Sequence, residues 1–343
     1  MEDFKKYIKS EFGKNIIAER DDELKAISTG SLALDLAIGV GGIPKSKYSE
    51  IAGSEGTGKT TIALQTCKNA IAGGDSVLYI DPENMMDLSY AKTILGEQYD
   101  LEKFILIQPE TGEDALLIAE EGLKQSEEQK IGLIVIDSIG ALAPRREKEK
   151  DLDDSTVAEV ARLLSKFLRR TAFFVRRHDV AVLFLNQVRD NVGSYIGGYS
   201  TPGGHAKDHM CSVIIRLNKG KKIDGKKDEG FVGVLTPFIV KKNKVAIPYR
   251  SFKVPIMFGK GIDRYRDVLE IAKMLGIIQT RGPYYKLKGG DTIALGIDAT
   301  IEELKKNKKL LDKIKEMCYN YLDGEKSTEL QPEEAKEDDK NGE

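Results

Sequence analysis

Tyr48-Ser-Glu-Ile-Ala-Gly53-Ser-Glu-Gly-Thr-Gly58-Lys59-Thr60-Thr61 is the stretch whose reading decides the fold. An apolar segment, Tyr48–Ala52, runs into G-x-x-x-x-G-K-T, and a helical pattern opens behind it. That is the context a phosphate-binding loop requires. Glycines let successive backbone N–H groups turn inward around phosphate oxygens. The N-terminus of the following helix adds partial positive charge. Gly53, Ser54, Glu55, Gly56, Thr57, Gly58, Lys59, Thr60 and Thr61 form the expected nucleotide-binding set, with Lys59 on the β- and γ-phosphates and Thr60 on Mg²⁺.

Working outward, short β-rich runs alternate with helical patterns over residues 31–270. Buried strands are expected at Val77–Ile80, Phe104–Ile107, Leu133–Ile136, Ala181–Leu185 and Val213–Leu217. Helices are expected near Thr60–Ala72, Glu113–Gln125 and Thr156–Arg177. Such alternation predicts an α/β fold with a mostly parallel twisted sheet covered by helices. Asp137 closes the apolar run Leu133-Ile-Val-Ile. A carboxylate at the C-terminal end of a parallel strand lies on the ligand edge. With the loop beside it, Asp137 is a metal position for Mg²⁺; a strand-end cap is the other reading. Glu83 stands just past Val77–Ile80 on the same edge and can orient the attacking water. A solvated loop carboxylate is the alternative for Glu83.

Two further patterns point to a polyanion. Arg162, Lys166 and Arg169 are spaced i, i+4, i+7 and share one helix face. Such a stripe can follow successive phosphates, though a solvated face has the same pattern. Residues 189–208, RDNVGSYIGGYSTPGGHAKD, carry five glycines and a proline. Val192, Tyr195 and Ile196 within it have no evident core to enter, and apolar side chains can wedge between base steps. Lys242 and Lys244, two apart at the end of a β-rich run, point to one side of a strand.

The remainder bounds the answer. Charged residues are 31% and hydrophobic ones 41%, with a net charge of −2, so any nucleic-acid surface is a local stripe, not a uniform coat. The three cysteines are too dispersed for a C-x-x-C site or a disulfide framework. The three histidines suggest solvated or hydrogen-bonded roles. No apolar run approaches a membrane span, Met1–Lys9 lacks a signal-peptide core, and the expected compartment is the cytoplasm. Residues 2–12 read as a short amphipathic helix. The expected organisation is an N-terminal helix and linking segment (1–30), a core (31–267) and a small α/β domain (268–325). A disordered acidic tail (326–343) ends the chain.

The motifs taken together resemble the bacterial RecA family. Ile27-Ser-Thr-Gly-Ser-Leu-Ala-Leu-Asp35, the phosphate loop, Tyr79-Ile-Asp-Pro-Glu83 and Gln108-Pro-Glu-Thr-Gly-Glu113 come in that family's order and spacing. So do Val135-Ile-Asp137-Ser138, Phe184-Leu-Asn-Gln187-Val-Arg189 and Val240-Lys-Lys-Asn-Lys244. The resemblance covers roughly residues 4–325. It implies a RecA-type ATPase core and a DNA-dependent ATPase that forms helical filaments on single-stranded DNA. That filament pairs the strand with homologous duplex and exchanges strands in recombination, DNA repair and the SOS response. A hexameric helicase and a non-catalytic filament accessory are the competing readings. Similarity through both DNA loops disfavours the first, and the intact Lys59, Glu83 and Asp137 disfavour the second.

Residue by residue, the resemblance makes Glu83 the catalytic carboxylate. Asp87, Tyr90 and Tyr265 become nucleotide contacts, and Gln187 the γ-phosphate sensor. Lys242 and Lys244 reach the ATP of the adjacent subunit. The first DNA loop, about 145–157, carries a wedge at Val157, and the second, about 189–208, carries one at Val192. Arg162, Ser165, Arg169, Arg189, Gly203, Gly204 and His205 match DNA-contacting positions. A LexA-type repressor and a single-strand-binding protein are further implied partners. His205, Asp208 and His209 depart from the family's amide, basic residue and aromatic in the subunit-contact segment.

Overall fold

The computed structural model describes residues 1–13, 24–96, 102–146, 157–190, 199–200, 202–225 and 229–324. Most of the expected first DNA loop (147–156), the expected wedge position Val192 with its neighbours 191–198, and the expected acidic tail lie outside them. The chain divides into two compact units, Met1–Ile271 and Ala272–Glu343.

The larger unit is built on a ten-stranded sheet. Its strands are β1 (Tyr48–Gly53), β2 (Ser76–Ile80), β3 (Phe104–Ile107), β4 (Ile131–Asp137) and β5 (Ala181–Gln187). Next come β6 (Cys211–Leu217), β7 (Lys221–Asp224), β8 (Phe231–Asn243), β9 (Ser251–Met257) and β10 (Gly261–Ile262). The spatial order is β10-β9-β8-β6-β1-β5-β4-β2-β3, with β7 on the side of β8. From β6 through β1, β5, β4 and β2 to β3 every pairing is parallel. From β6 outward through β8, β9 and β10 it is antiparallel. The expected fold class is thus observed. The parallel strands are apolar without alternation because both faces are covered. Leu133 to Ile136 and Ala181 to Leu185 are fully buried. Within the polar segment 218–230, Lys221–Asp224 forms β7 by pairing antiparallel with β8.

The main helices of this unit are α1 (Glu2–Phe12), α2 (Leu32–Ile38), α3 (Lys59–Ala72), α4 (Leu88–Leu95) and α5 (Gly112–Lys124). They continue with α6 (Val157–Arg177), α7 (Gly204–Met210) and α8 (Arg264–Met274), which runs across the division. α1 buries none of its residues, and Phe4, Tyr7 and Phe12 are exposed. α5 and α6 cover one face of the sheet through Leu116, Leu123, Leu164 and Leu168. Side-chain caps fix helix starts at Ser31, Asp87 and Thr111, as their short oxygens accept from first-turn N–H groups. The motif around Ser28–Asp35 is structural. Asp35 accepts from Ser28 and Thr29, and Asp267 accepts from Ser31.

The smaller unit carries an antiparallel sheet of β11 (Ile278–Arg281), β12 (Tyr284–Leu287) and β13 (Thr292–Leu295), followed by α9 (Ile297–Lys306) and α10 (Lys308–Gly324). Ile301, Leu304, Ile314 and Cys318 form its apolar interior. No helix among the described residues is long and apolar enough to cross a membrane.

Candidate functional site

β1 ends in the phosphate loop, and α3 begins directly behind it. Gly58 adopts φ +91°, a left-handed conformation that strains any other residue, and a Cβ there would stand 2.2 Å from Ile256 Cδ1. A Cβ on Gly53 would stand 2.6 Å from Thr57 Oγ1. α3 has no side-chain cap at its N-terminus. Its first-turn N–H groups are therefore available to an external anion, which the macrodipole also favours. Lys59 arches over the loop, and its ammonium donates to the carbonyls of Gly53 and Ser54, each at 3.0 Å. Burial, the largest influence, pushes the Lys59 pKa down; Asp137, Glu83 and Glu55 oppose it. Ser54 is half-buried, Glu55 and Gly56 are exposed, and Thr57 is buried.

Asp137 sits where β4 leaves the sheet, two strands from β1. Thr60 donates to its Oδ2 at 2.9 Å, and the Tyr79 hydroxyl from β2 donates to the same oxygen at 2.6 Å. Burial is the main cause that raises the Asp137 pKa, with the Tyr79 and Thr60 hydroxyls working against it. A threonine hydroxyl beside a carboxylate is a hard-oxygen pair, which fits Mg²⁺; that ion takes one or two protein oxygens and completes its shell with phosphate and water. The described residues contain no cluster of three or more His, Cys, Asp or Glu side chains that could hold a metal ion.

Glu83 reaches the same edge from the turn after β2. The Ser138 hydroxyl donates to its Oε1 at 2.6 Å, and Ser138 follows Asp137 directly. The two carboxylates are thus joined through consecutive residues. The positioning contacts of Tyr79 and Ser138 were missed by sequence reasoning, although both lie inside quoted motifs. Their signal is one of place: Tyr79 precedes the strand end by one residue, and Ser138 follows Asp137. Gln187 ends β5 and pairs in register with Gly53 on β1, which sets an exposed amide beside the first residue of the loop. Tyr90 bonds Thr61 through the two hydroxyls at 2.6 Å. Asp87 caps α4 and is exposed; N–H and O–H donation from Ser89 lowers its pKa. Tyr265 is half-buried in the first turn of α8, its N–H donating to Asp263 at 3.1 Å.

Lys242 lies in β8 and Lys244 one residue past its end, and both side chains reach the same helix terminus. Sequence reading offers them no anionic neighbour. The structure supplies carbonyls at the C-terminal end of α7. Lys244 donates to the His209 carbonyl at 3.0 Å, while Lys242 donates to the carbonyls of His209, at 3.2 Å, and of Asp208. A helix C-terminus is partially negative, so it suits ammonium groups. Burial, then Lys244, lowers the Lys242 pKa.

The positions expected to face DNA are more dispersed. Arg162 and Arg169 are exposed on α6, and Arg169 donates to Ser165 Oγ at 2.6 Å. Val157 opens α6, and Arg189 lies in a short antiparallel ladder with Ser200 at the base of the second loop. Gly203 and Gly204 adopt φ +104° and +69° and enter α7. Gly203 is buried, and a Cβ on it would meet Leu164 of α6 at 2.9 Å. Packing against α6 is thus a second reason for glycine there, beside the expected DNA contact. His205, Asp208 and His209 are exposed. His178 bonds the Leu123 carbonyl at 2.7 Å, and all three cysteines are buried.

The family described as RecA N-terminal domain matches residues 1–263. Protein RecA of Halalkalibacterium halodurans is 36% identical over 338 residues, covering 96% of this chain and 94% of that protein. Protein RecA of Syntrophus aciditrophicus is 36% identical over 315 residues, with 90% and 89% covered. Protein RecA of Bacillus subtilis strain 168 is 34% identical over 340 residues, with 97% and 95% covered. Among solved structures, the crystal structure of the RadB recombinase shares the fold. Its TM-score is 0.51 at 24% identity, covering 69% of this chain and 98% of that one. Similarity that spans nearly the whole chain, on a sheet whose one edge gathers the phosphate loop, Asp137, Glu83 and Gln187, places this protein in the RecA family.

Proposed function

We propose that this protein is a DNA-dependent ATPase of recombination and repair, which assembles as a helical filament on single-stranded DNA and exchanges strands with homologous duplex. The observation that carries the reading is the meeting of Lys59, Thr60, Asp137 and Glu83 at one sheet edge. ATP lies with its phosphates on the loop and the N-terminus of α3. Lys59 turns from its carbonyls to the β- and γ-phosphates. Thr60 and Asp137 hold Mg²⁺, which neutralises charge on the phosphate oxygens when bound. Glu83, aligned by Ser138, orients the water, and Gln187 contacts the γ-phosphate beside Gly53.

Lys242 and Lys244 complete the site of the adjacent subunit, where two positive charges stabilise the transferring phosphoryl group. ATP then bridges subunits, and hydrolysis loosens the filament. Arg162, Ser165 and Arg169 contact phosphates, while Val157 and Val192 separate bases. Pairing between the strands supplies the sequence test. A strand-invasion assay decides: joint molecules should form with homologous duplex and ATP, and not with heterologous duplex. ATP-driven unwinding without joint molecules would mark a helicase, and DNA binding with neither would mark an accessory protein.

A further inference from the structure

Away from the phosphate edge the interior holds an ion pair that the nucleotide chemistry does not use. Lys207, in α7, has a fully buried side chain, and its ammonium donates to both oxygens of Glu50 at 2.6 Å each. Glu50 lies in β1, three residues before Gly53, and is also buried. Asn186 of β5 joins the pair. Its amide nitrogen donates to Glu50 Oε1 at 2.8 Å and to the Pro202 carbonyl at 2.9 Å. Pro202 lies in the second loop two residues before α7, and Asn186 is the residue before Gln187.

Stability alone is a poor reason for such an arrangement. A buried ion pair is often matched or bettered by apolar residues of similar volume. Asn186 also leaves its Oδ1 buried without a partner among the described residues, an arrangement that is itself destabilising. Turning the amide over would set its oxygen against a carboxylate, so the group is held for its two N–H donors. What the network supplies is direction. A carboxylate gripped at both oxygens, with the amide as a third strut, sets α7 and the loop at Pro202 against the strands that end at Gly53 and Gln187.

We propose that Lys207 and Glu50, with Asn186, are positioning residues that couple occupancy of the second loop by DNA to occupancy of the phosphate edge by ATP. The proposal rests on the reading of that loop as a DNA contact. Coupling of this kind is reciprocal and is measured as the factor by which one ligand tightens the other.

The test uses the full-length protein carrying Glu50→Gln with Lys207→Met, which removes both buried charges together; Asp208, which Lys207 also meets at 3.1 Å, is left to solvent. Three quantities are measured: affinity for a fluorescent ATP analogue without DNA, affinity for single-stranded oligothymidine without nucleotide, and the tightening of the second by a slowly hydrolysed ATP analogue. The expected result is near-wild-type affinity for each ligand alone and a tightening factor reduced about tenfold, within the usual range of such couplings. Lys207→Arg, which keeps the charge, should retain more of the coupling than the double variant. Full tightening in a folded double variant overturns the proposal. If the double variant does not fold, Asn186→Ala cuts the strut to Pro202 and leaves the ion pair whole; unchanged tightening there overturns it equally. A wild-type protein with no ATP-dependent tightening would instead sink the recombinase reading, and the proposal with it.

Discussion

At the nucleotide edge, side chains from α3, β2, β4 and the turn after β2 meet within hydrogen-bond distance, whereas on α6 Arg162, Lys166 and Arg169 stand in solvent along one helix. The two regions handle charge in opposite ways. At the edge, burial moves Lys59 down and Asp137 up from their ordinary values. Each group there is held by a neighbour whose own position the sheet dictates. On the proposed reading the α6 arginines need only a shared face, because a polyanion would meet them one phosphate at a time. The lesson is that phosphoryl transfer needs convergence, while backbone binding needs repetition. Loss at a convergent site should therefore be steep and loss along a stripe shallow.

The steepest loss is expected at Glu83. Glu83→Gln should lower DNA-stimulated ATP hydrolysis about 10³-fold, in the range for a positioned general base, and leave ATP binding intact. Steady-state turnover and equilibrium nucleotide binding check it; wild-type turnover would return Glu83 to a solvated loop. Lys242→Ala should follow, with a loss of about 10²-fold, as for one electrostatic donor to the transition state. Mixing it with Lys59→Ala sharpens the comparison. Some interfaces then pair an intact loop with an intact lysine pair, and part of the activity should return. Mixed filaments that form but stay inactive would remove the lysines from the neighbour's site.

Smaller effects follow on the stripe. Arg169→Ala should weaken binding to all single-stranded sequences by a few fold and reduce the salt slope by about 0.7, the value for one contact on a single strand. An unchanged slope in a salt titration would make Arg169 a solvated residue. The smallest effect belongs to Tyr79→Phe. The Tyr79 hydroxyl stabilises the Asp137 carboxylate, while burial raises its pKa. Asp137 must be ionised to hold a cation, so activity is lost as pH falls through that raised value. Removal of the hydroxyl should raise it further and shift the acid limb of the ATPase profile to higher pH. A limb that stays in place, or moves to lower pH, would mean that Asp137 does not set it.

Sequence alone determined the parallel core, because strands buried on both faces must be apolar throughout, as Leu133–Ile136 and Ala181–Leu185 are. It also determined the phosphate loop, whose glycine spacing is set by local backbone geometry, and the one-sided arginines of α6, which follow from helical period. Asp137 and Glu83 could be assigned to the ligand edge because each closes or follows a buried strand. Tertiary structure alone decided which groups touch. Ser138 on Glu83, Tyr79 on Asp137, and the α7 carbonyls under Lys242 and Lys244 join residues far apart in the chain or from different elements. So does the buried Lys207–Glu50 pair, 157 positions apart. No local period encodes such a meeting, since it depends on strand order and register. A lysine in a polar helical segment reads as solvated until the sheet beneath it presents a carboxylate.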